Sequence, residues 1–124
     1  MADKSYVLIV EDDPFYSSVY KAKVEKEGIR AQIVSDGGAA LKAIRAEKPT
    51  LVVLDLIMAG KDGFQTLAEL KADAATKDVK VIVLSNLSQE EDVKRVLELG
   101  AAEYHIKADI SIEALMQIIK GHMA

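Results

Sequence analysis

The chain has 124 residues, no cysteine, a formal net charge of −4 and a pI near 5.2, with 50% hydrophobic and 29% charged residues. That length suits one domain with a core covered on both faces, so residues 1–124 are read as a single domain. Scattered Lys and Arg in an acidic chain argue against nucleic acid or an anionic membrane as partner, no thiolate metal site or disulfide framework is available, and no apolar run is long enough to span a bilayer; a cytoplasmic location is expected.

The first apolar run, YVLIV at 6–10, is β-branched, too short for a helix, and leads straight into Glu11, Asp12, Asp13 and Pro14. Asp13 followed by Pro14 suits the N-cap and first position of a helix, and Gly28 suits its end. RAQIVS at 30–35 mixes in polar residues as an edge strand does, and Leu41 with Ile44 marks a helical stripe. LVVLDL at 51–56 is a second continuous strand run that closes on Asp55. Asp62-Gly63 reads as turn chemistry, followed by a helix with Phe64, Leu67 and Ala68 on its buried side. VIVL at 81–84 leads to Ser85 and Asn86. Ser88-x-x-Glu91 predicts a capping box for a helix buried through Val93, Val96 and Leu97 and ended by Gly100. AEYHIK at 102–107 is another edge strand, and Ile112, Leu115, Met116 and Ile119 carry the last helix. His105 and His122 lack metal-ligand spacing, and Met58, Met116 and Met123 read as packing or tail residues.

Continuous apolar strands are those buried on both faces, as in parallel sheets. Strand and helix alternating five times imply an α/β, doubly wound parallel sheet with right-handed crossovers and helices on both faces. Ligands of such sheets sit outside the carboxyl ends of the strands, where strand order reverses. The residues ending the strands therefore matter most: Glu11, Asp12, Asp13, Asp55, Ser85, Asn86 and Lys107.

Two carboxylates about 4 Å apart repel by roughly 4 kcal/mol at an effective dielectric near 20, so Glu11, Asp12 and Asp55 require a cation among them. Hard oxygen donors without His or Cys favour Mg²⁺ or Mn²⁺. Lys107 brings an ammonium and Ser85 a hydroxyl, the groups that hold phosphoryl oxygens. Asp55 is the natural nucleophile, able to form an aspartyl-phosphate.

These residues in this order resemble the receiver domain of two-component response regulators, along essentially the whole chain. The acidic pair matches Glu11 and Asp12, the phosphoacceptor motif matches LDLIMAGKDG at 54–63 with Asp55 as acceptor, the switch hydroxyl matches Ser85, the switch aromatic Tyr104 and the lysine Lys107. The spacing adds weight: 30 residues from Asp55 to Ser85, 19 more to Tyr104 and three to Lys107. The resemblance implies a flavodoxin-like sheet in strand order 2-1-3-4-5 with five helices. It implies that Asp12, Asp55 and the backbone carbonyl of Ile57 ligate Mg²⁺, with Glu11 acting through water. A sensor histidine kinase or histidine phosphotransfer protein would donate to Asp55, and Ser85 and Tyr104 would reshape the face of the fourth helix, fifth strand and fifth helix toward a downstream target protein. Such a protein would be a monomer or a phosphorylation-dependent dimer.

Ala59 and Ala108 stand where the family usually has proline, the second in a place where proline commonly accompanies a cis peptide. Asn86 replaces a small residue and puts a bulky amide beside the phosphoryl pocket, either narrowing access or hydrogen-bonding the phosphate. Ile57 and Leu87 are apolar at positions that tune attack by water, so slow self-dephosphorylation is expected. Three other readings compete: a phosphorylation-independent receiver that only binds partners, an aspartyl-phosphate phosphohydrolase, and a flavodoxin-like flavin or nucleotide binder. The phosphohydrolase would want a second aspartate where Ile57 stands, and no glycine-rich phosphate loop follows the first strand.

Overall fold

Alternation of side chains along a strand decides how a continuous apolar run is used. In the computed structural model, which describes residues 5–123, Tyr6, Leu8 and Val10 of β1 (Tyr6–Val10) enter one core cluster, while Val7 and Ile9 enter another. The same split divides Val52 and Leu54 from Leu51 and Val53 in β3 (Leu51–Leu54), and Val81 and Val83 from Ile82 and Leu84 in β4 (Lys80–Ser85). These three central strands are flanked by β2 (Arg30–Val34) and β5 (Glu103–Ile106), giving five parallel strands in order 2-1-3-4-5. Both edge strands are the polar-mixed ones. LVVLDL forms a strand only as far as Leu54, and RAQIVS only to Val34.

The helices are α1 (Pro14–Lys26), α2 (Gly37–Ala46), α3 (Gly63–Ala72), α4 (Glu90–Glu98) and α5 (Ile112–Met123). Travel from β1 to β2 runs one way across the sheet and every later step the other way. With right-handed crossovers that reversal sends α1 to one face and α2, α3 and α4 to the opposite one. Tyr20 and Val24 of α1 share their cluster with Leu115, Met116 and Ile119 of α5, whereas Ile44, Leu67, Leu70 and Val96 pack on the other side. Among the described residues no helix is long and apolar enough to cross a membrane.

Aspartates start three helices. Asp13, Asp36 and Asp62 accept from Phe15, Ala39 and Gln65 backbone N–H groups, each at 2.9 Å, a cap worth about 1 kcal/mol. The capping box expected at Ser88 is not formed: Gln89 is the N-cap of α4 and makes no side-chain cap bond. Glu90, Glu91 and Asp92 in the first turn complement the helix dipole instead. The stripes of α3 and α4 also need correction, since Ala68 is exposed, Leu97 is 45% exposed and Leu70 takes the buried position in α3. Val96 alone is fully buried in α4, so that helix sits on the sheet through a narrow contact.

Candidate functional site

The reversal of strand order between β1 and β3 brings the residues after these two strands together. One carboxylate oxygen from each of Glu11, Asp12 and Asp55 lies within 4.8 Å of the others. Glu11 and Asp55 are buried and Asp12 is exposed, so the trio has a closed floor and an open mouth. Lys107, arriving from the end of β5, places Nζ 2.5 Å from Glu11 Oε1 and 3.1 Å from Asp55 Oδ2. Its side chain is only 6% exposed.

Burial pushes the Glu11 carboxyl up, and the hydrogen bond from Lys107 opposes that shift. Burial pulls Lys107 down, but bonds to Glu11 and Asp55 outweigh it and hold the ammonium above the ordinary lysine value. Three carboxylates against one ammonium leave a formal surplus of two negative charges. An all-oxygen donor set with that surplus suits a hard divalent cation. Backbone N–H groups hold the carboxylates in place: Asp13 donates to Glu11 Oε2 at 3.1 Å, Ile57 to Asp55 Oδ1 at 3.4 Å and Ala59 to Asp12 Oδ2 at 3.3 Å. The Ile57 side chain is 59% exposed at the mouth.

Ser85, the last residue of β4, is fully buried, and its Oγ accepts from the Leu87 N–H at 3.3 Å. Tyr104 is half-buried against the core and donates its hydroxyl to the Leu87 carbonyl at 2.5 Å. Burial raises the Tyr104 phenol, with the Ser85 hydroxyl opposing. The Asn86 side chain is tied to the neighbouring loop, its Oδ1 accepting from the Ala108 N–H at 3.0 Å. No cis peptide occurs among the described residues, so the Lys107–Ala108 bond is trans. Asp13 is a cap and lies outside the trio. His105 and His122 both meet the Glu103 carboxylate, at 2.9 and 2.5 Å.

Two features escape a reading of the sequence. Tyr16 and Tyr20, one helical turn apart on α1, form an aromatic wall whose first ring lies 4.7 Å from Lys107 Nζ. Their i, i+4 spacing just after the acidic run was the available signal. Gly63 is more than a turn residue: a Cβ there would stand 2.3 Å from the Asp55 carbonyl oxygen and 2.7 Å from Leu56 Cα. The start of α3 therefore approaches the Asp55 backbone as closely as glycine permits.

Known proteins resemble this chain in sequence and fold. The response regulator receiver domain family matches residues 7–120. Protein PilH of Pseudomonas aeruginosa is 33% identical over 118 residues, covering 95% of this chain and 97% of that protein. The DNA-binding response regulator MtrA of Mycolicibacterium smegmatis is 34% identical over 101 residues, covering 82% of this chain and 43% of MtrA. Among solved structures, the Mn(2+)-bound form of response regulator Rcp1 superimposes with a TM-score of 0.82 at 28% identity, over 94% of this chain and 90% of that one. A family match over nearly the full length, carried by a relative a third identical along almost all of both chains, shows that this chain belongs to the response regulator receiver domain family.

Proposed function

We propose that this receiver domain is a phosphoryl-accepting switch in a two-component phosphorelay, with Asp55 as acceptor, and that residues 1–124 form a single domain. One observation carries the reading: Lys107 bridges Glu11 and Asp55 while Asp12 closes the trio. A buried carboxylate paired with an ammonium, in a cluster that still carries surplus negative charge, is poised for a divalent cation and an arriving phosphoryl group.

Receiver domains hold a divalent metal in an acidic pocket, and the donor set here fits Mg²⁺ or Mn²⁺. Asp12, Asp55 and the Ile57 carbonyl would ligate it, with Glu11 reaching it through water; when bound it would neutralise the arriving phosphoryl charge. The Asp55 carboxylate attacks phosphorus as the bond from phosphorus to the donor's imidazole nitrogen breaks, and the released imidazole takes up a proton. Lys107 and Ser85 hold the phosphoryl oxygens. Histidine kinases or phosphotransfer proteins are the donors of this family's chemistry, and the downstream partner is a protein that reads α4, β5 and α5. Ser85 and Tyr104 both engage Leu87 at the root of α4, which supports their joint use as the switch. Phosphorylation adds about −1.5 to −2 charges, enough to shift a two-state surface through couplings of roughly 1–3 kcal/mol.

Intact-mass spectrometry after incubation with acetyl phosphate tests the assignment. One added phosphoryl group that needs Mg²⁺ and is missing from Asp55→Asn is the expected result. No adduct from either acetyl phosphate or a histidine kinase would overturn it in favour of a phosphorylation-independent binding module. Slow loss of the adduct, over minutes or longer, is expected from apolar Ile57 and Leu87; loss within seconds would refute that part.

A further inference from the structure

Residues 85, 86 and 87 each accept one hydrogen bond from β5 or the turn beyond it. The Ser85 carbonyl accepts from Lys107 N–H at 2.9 Å, Asn86 Oδ1 from Ala108 N–H at 3.0 Å, and the Leu87 carbonyl from the Tyr104 hydroxyl at 2.5 Å. The first of these continues the parallel ladder in which Ser85 faces Ile106. Beyond it the chain turns, with Asp109 N–H donating to the Ile106 carbonyl at 3.0 Å. The Ala108 N–H would face water at that turn, and the Asn86 carboxamide supplies the rung that the backbone of β4 no longer can.

One hydrogen bond joins the Asn86 side chain to the Ala108 backbone. A proline at 108 has no N–H to donate, and a small residue at 86 has no acceptor to offer. The bond therefore needs both the carboxamide at 86 and a backbone N–H at 108.

We infer that Asn86 is a positioning residue: by clamping the Ala108 N–H it holds the backbone that carries Lys107 and makes the Ser85 loop and the Lys107 loop move as one body. The reaction in which Lys107 is positioned rests on the Asp55 assignment above. Through Oδ1 the carboxamide is anchored to the neighbouring loop. With the clamp, a displacement of Ser85 toward a phosphoryl oxygen carries the start of the β5–α5 connection along. Without it, the Lys107 backbone is tied to the end of β4 by the Ser85 rung alone.

Amide hydrogen exchange on the unphosphorylated full chain, read residue by residue by NMR, tests the clamp directly. A surface hydrogen bond of ordinary strength corresponds to about two- to tenfold protection. Asn86→Ala should speed exchange at Ala108 by that factor and at Lys107 by a smaller one, and Asn86→Asp, which keeps an acceptor of the same shape, should restore both. Unchanged exchange at Ala108 in Asn86→Ala overturns the proposal. The functional arm is a cycle of Asn86→Ala, Ala108→Pro and the double variant, scored by the rate of Mg²⁺-dependent phosphoryl uptake from acetyl phosphate. Each single variant should be slower and the double no slower than either, because both remove the same bond. Additive slowing, or none, overturns the positioning role. If the wild type takes up no phosphoryl group, the Asp55 assignment fails, and the positioning role with it, while exchange at Ala108 still shows whether the clamp exists.

Discussion

The Lys107 ammonium lies 4.7 Å from the centroid of the Tyr16 ring, on a helix that follows the acidic run, while the same nitrogen bonds Glu11 and Asp55. Tyr16 leans on Tyr20, with ring centroids 5.9 Å apart, and burial pushes the Tyr20 phenol up to about 12. A partly desolvated cation–π contact is worth about 1 kcal/mol. Tyr16→Leu should therefore slow phosphoryl uptake at Asp55 by about fivefold, whereas Tyr16→Phe, which keeps the ring face, should stay near wild type. Time courses of adduct formation by mass spectrometry distinguish them; equal rates for Leu and Phe would assign Tyr16 to packing alone.

Gly63→Ala sets helix propensity against close packing. Alanine inside a helix usually gains about 0.5–1 kcal/mol over glycine. Here the added methyl meets backbone atoms of Asp55 and Leu56 at 2.3 and 2.7 Å, which cannot rotate away. Overpacking of this kind costs about 1–3 kcal/mol, so the variant should be destabilised in urea and should bind Mg²⁺ more weakly as Asp55 is displaced. A more stable variant with unchanged Mg²⁺ affinity would show that α3 shifts freely.

The Glu103 carboxylate, on β5, is held below its ordinary value of 4.5 chiefly by the hydrogen bond from His122 of α5, against some desolvation, with His105 adding to the effect. A depressed folded value means stability that is present above the unfolded value and lost as pH falls through the folded one. The contribution of the Glu103 carboxylate to the pin between β5 and the end of α5 should thus be lost as pH falls below about 4.5. His122→Gln should move the Glu103 titration, followed by carboxyl ¹³C NMR, back toward 4.5. An unmoved titration would mean that the pair does not form in solution.

Lys71 separates stability from function. Its ammonium donates to the Lys77 and Val79 carbonyls at 2.9 and 2.8 Å, far along the chain from the acidic trio, and burial lowers its pKa. Lys71→Met keeps the aliphatic stem but leaves those carbonyls without the donor, a loss of about 1–3 kcal/mol. Urea unfolding should report that loss, while phosphoryl uptake by the folded protein should remain at the wild-type rate.

Local chemistry made much of this molecule readable in one dimension. The central strands announce themselves because burial on both faces demands unbroken apolar runs, and the polar-mixed runs at 30–35 and 102–107 fall at the sheet edges for the converse reason. Asp13 with Pro14 marks a helix start because capping acts within three residues. The acidic pair, Asp55, Ser85 and Lys107 could be picked out as strand-ending residues, since the doubly wound topology collects such residues at one edge.

What sequence alone does not determine is which atoms meet. The Lys107–Glu11 bond joins residues 96 apart and the Asn86–Ala108 bond residues 22 apart, so both exist only once the strands are ordered and in register. Leu97 reads as buried by its spacing yet is 45% exposed, because α4 rests on the sheet through little more than Val96. Ser88 reads as a cap, but α4 begins beyond Gln89. Helical periodicity and capping motifs describe a segment in isolation, whereas exposure, the wall of Tyr16 and Tyr20 under Lys107, and the hydrogen bond between Asn86 and Ala108 depend on the distance between segments, which tertiary packing alone decides.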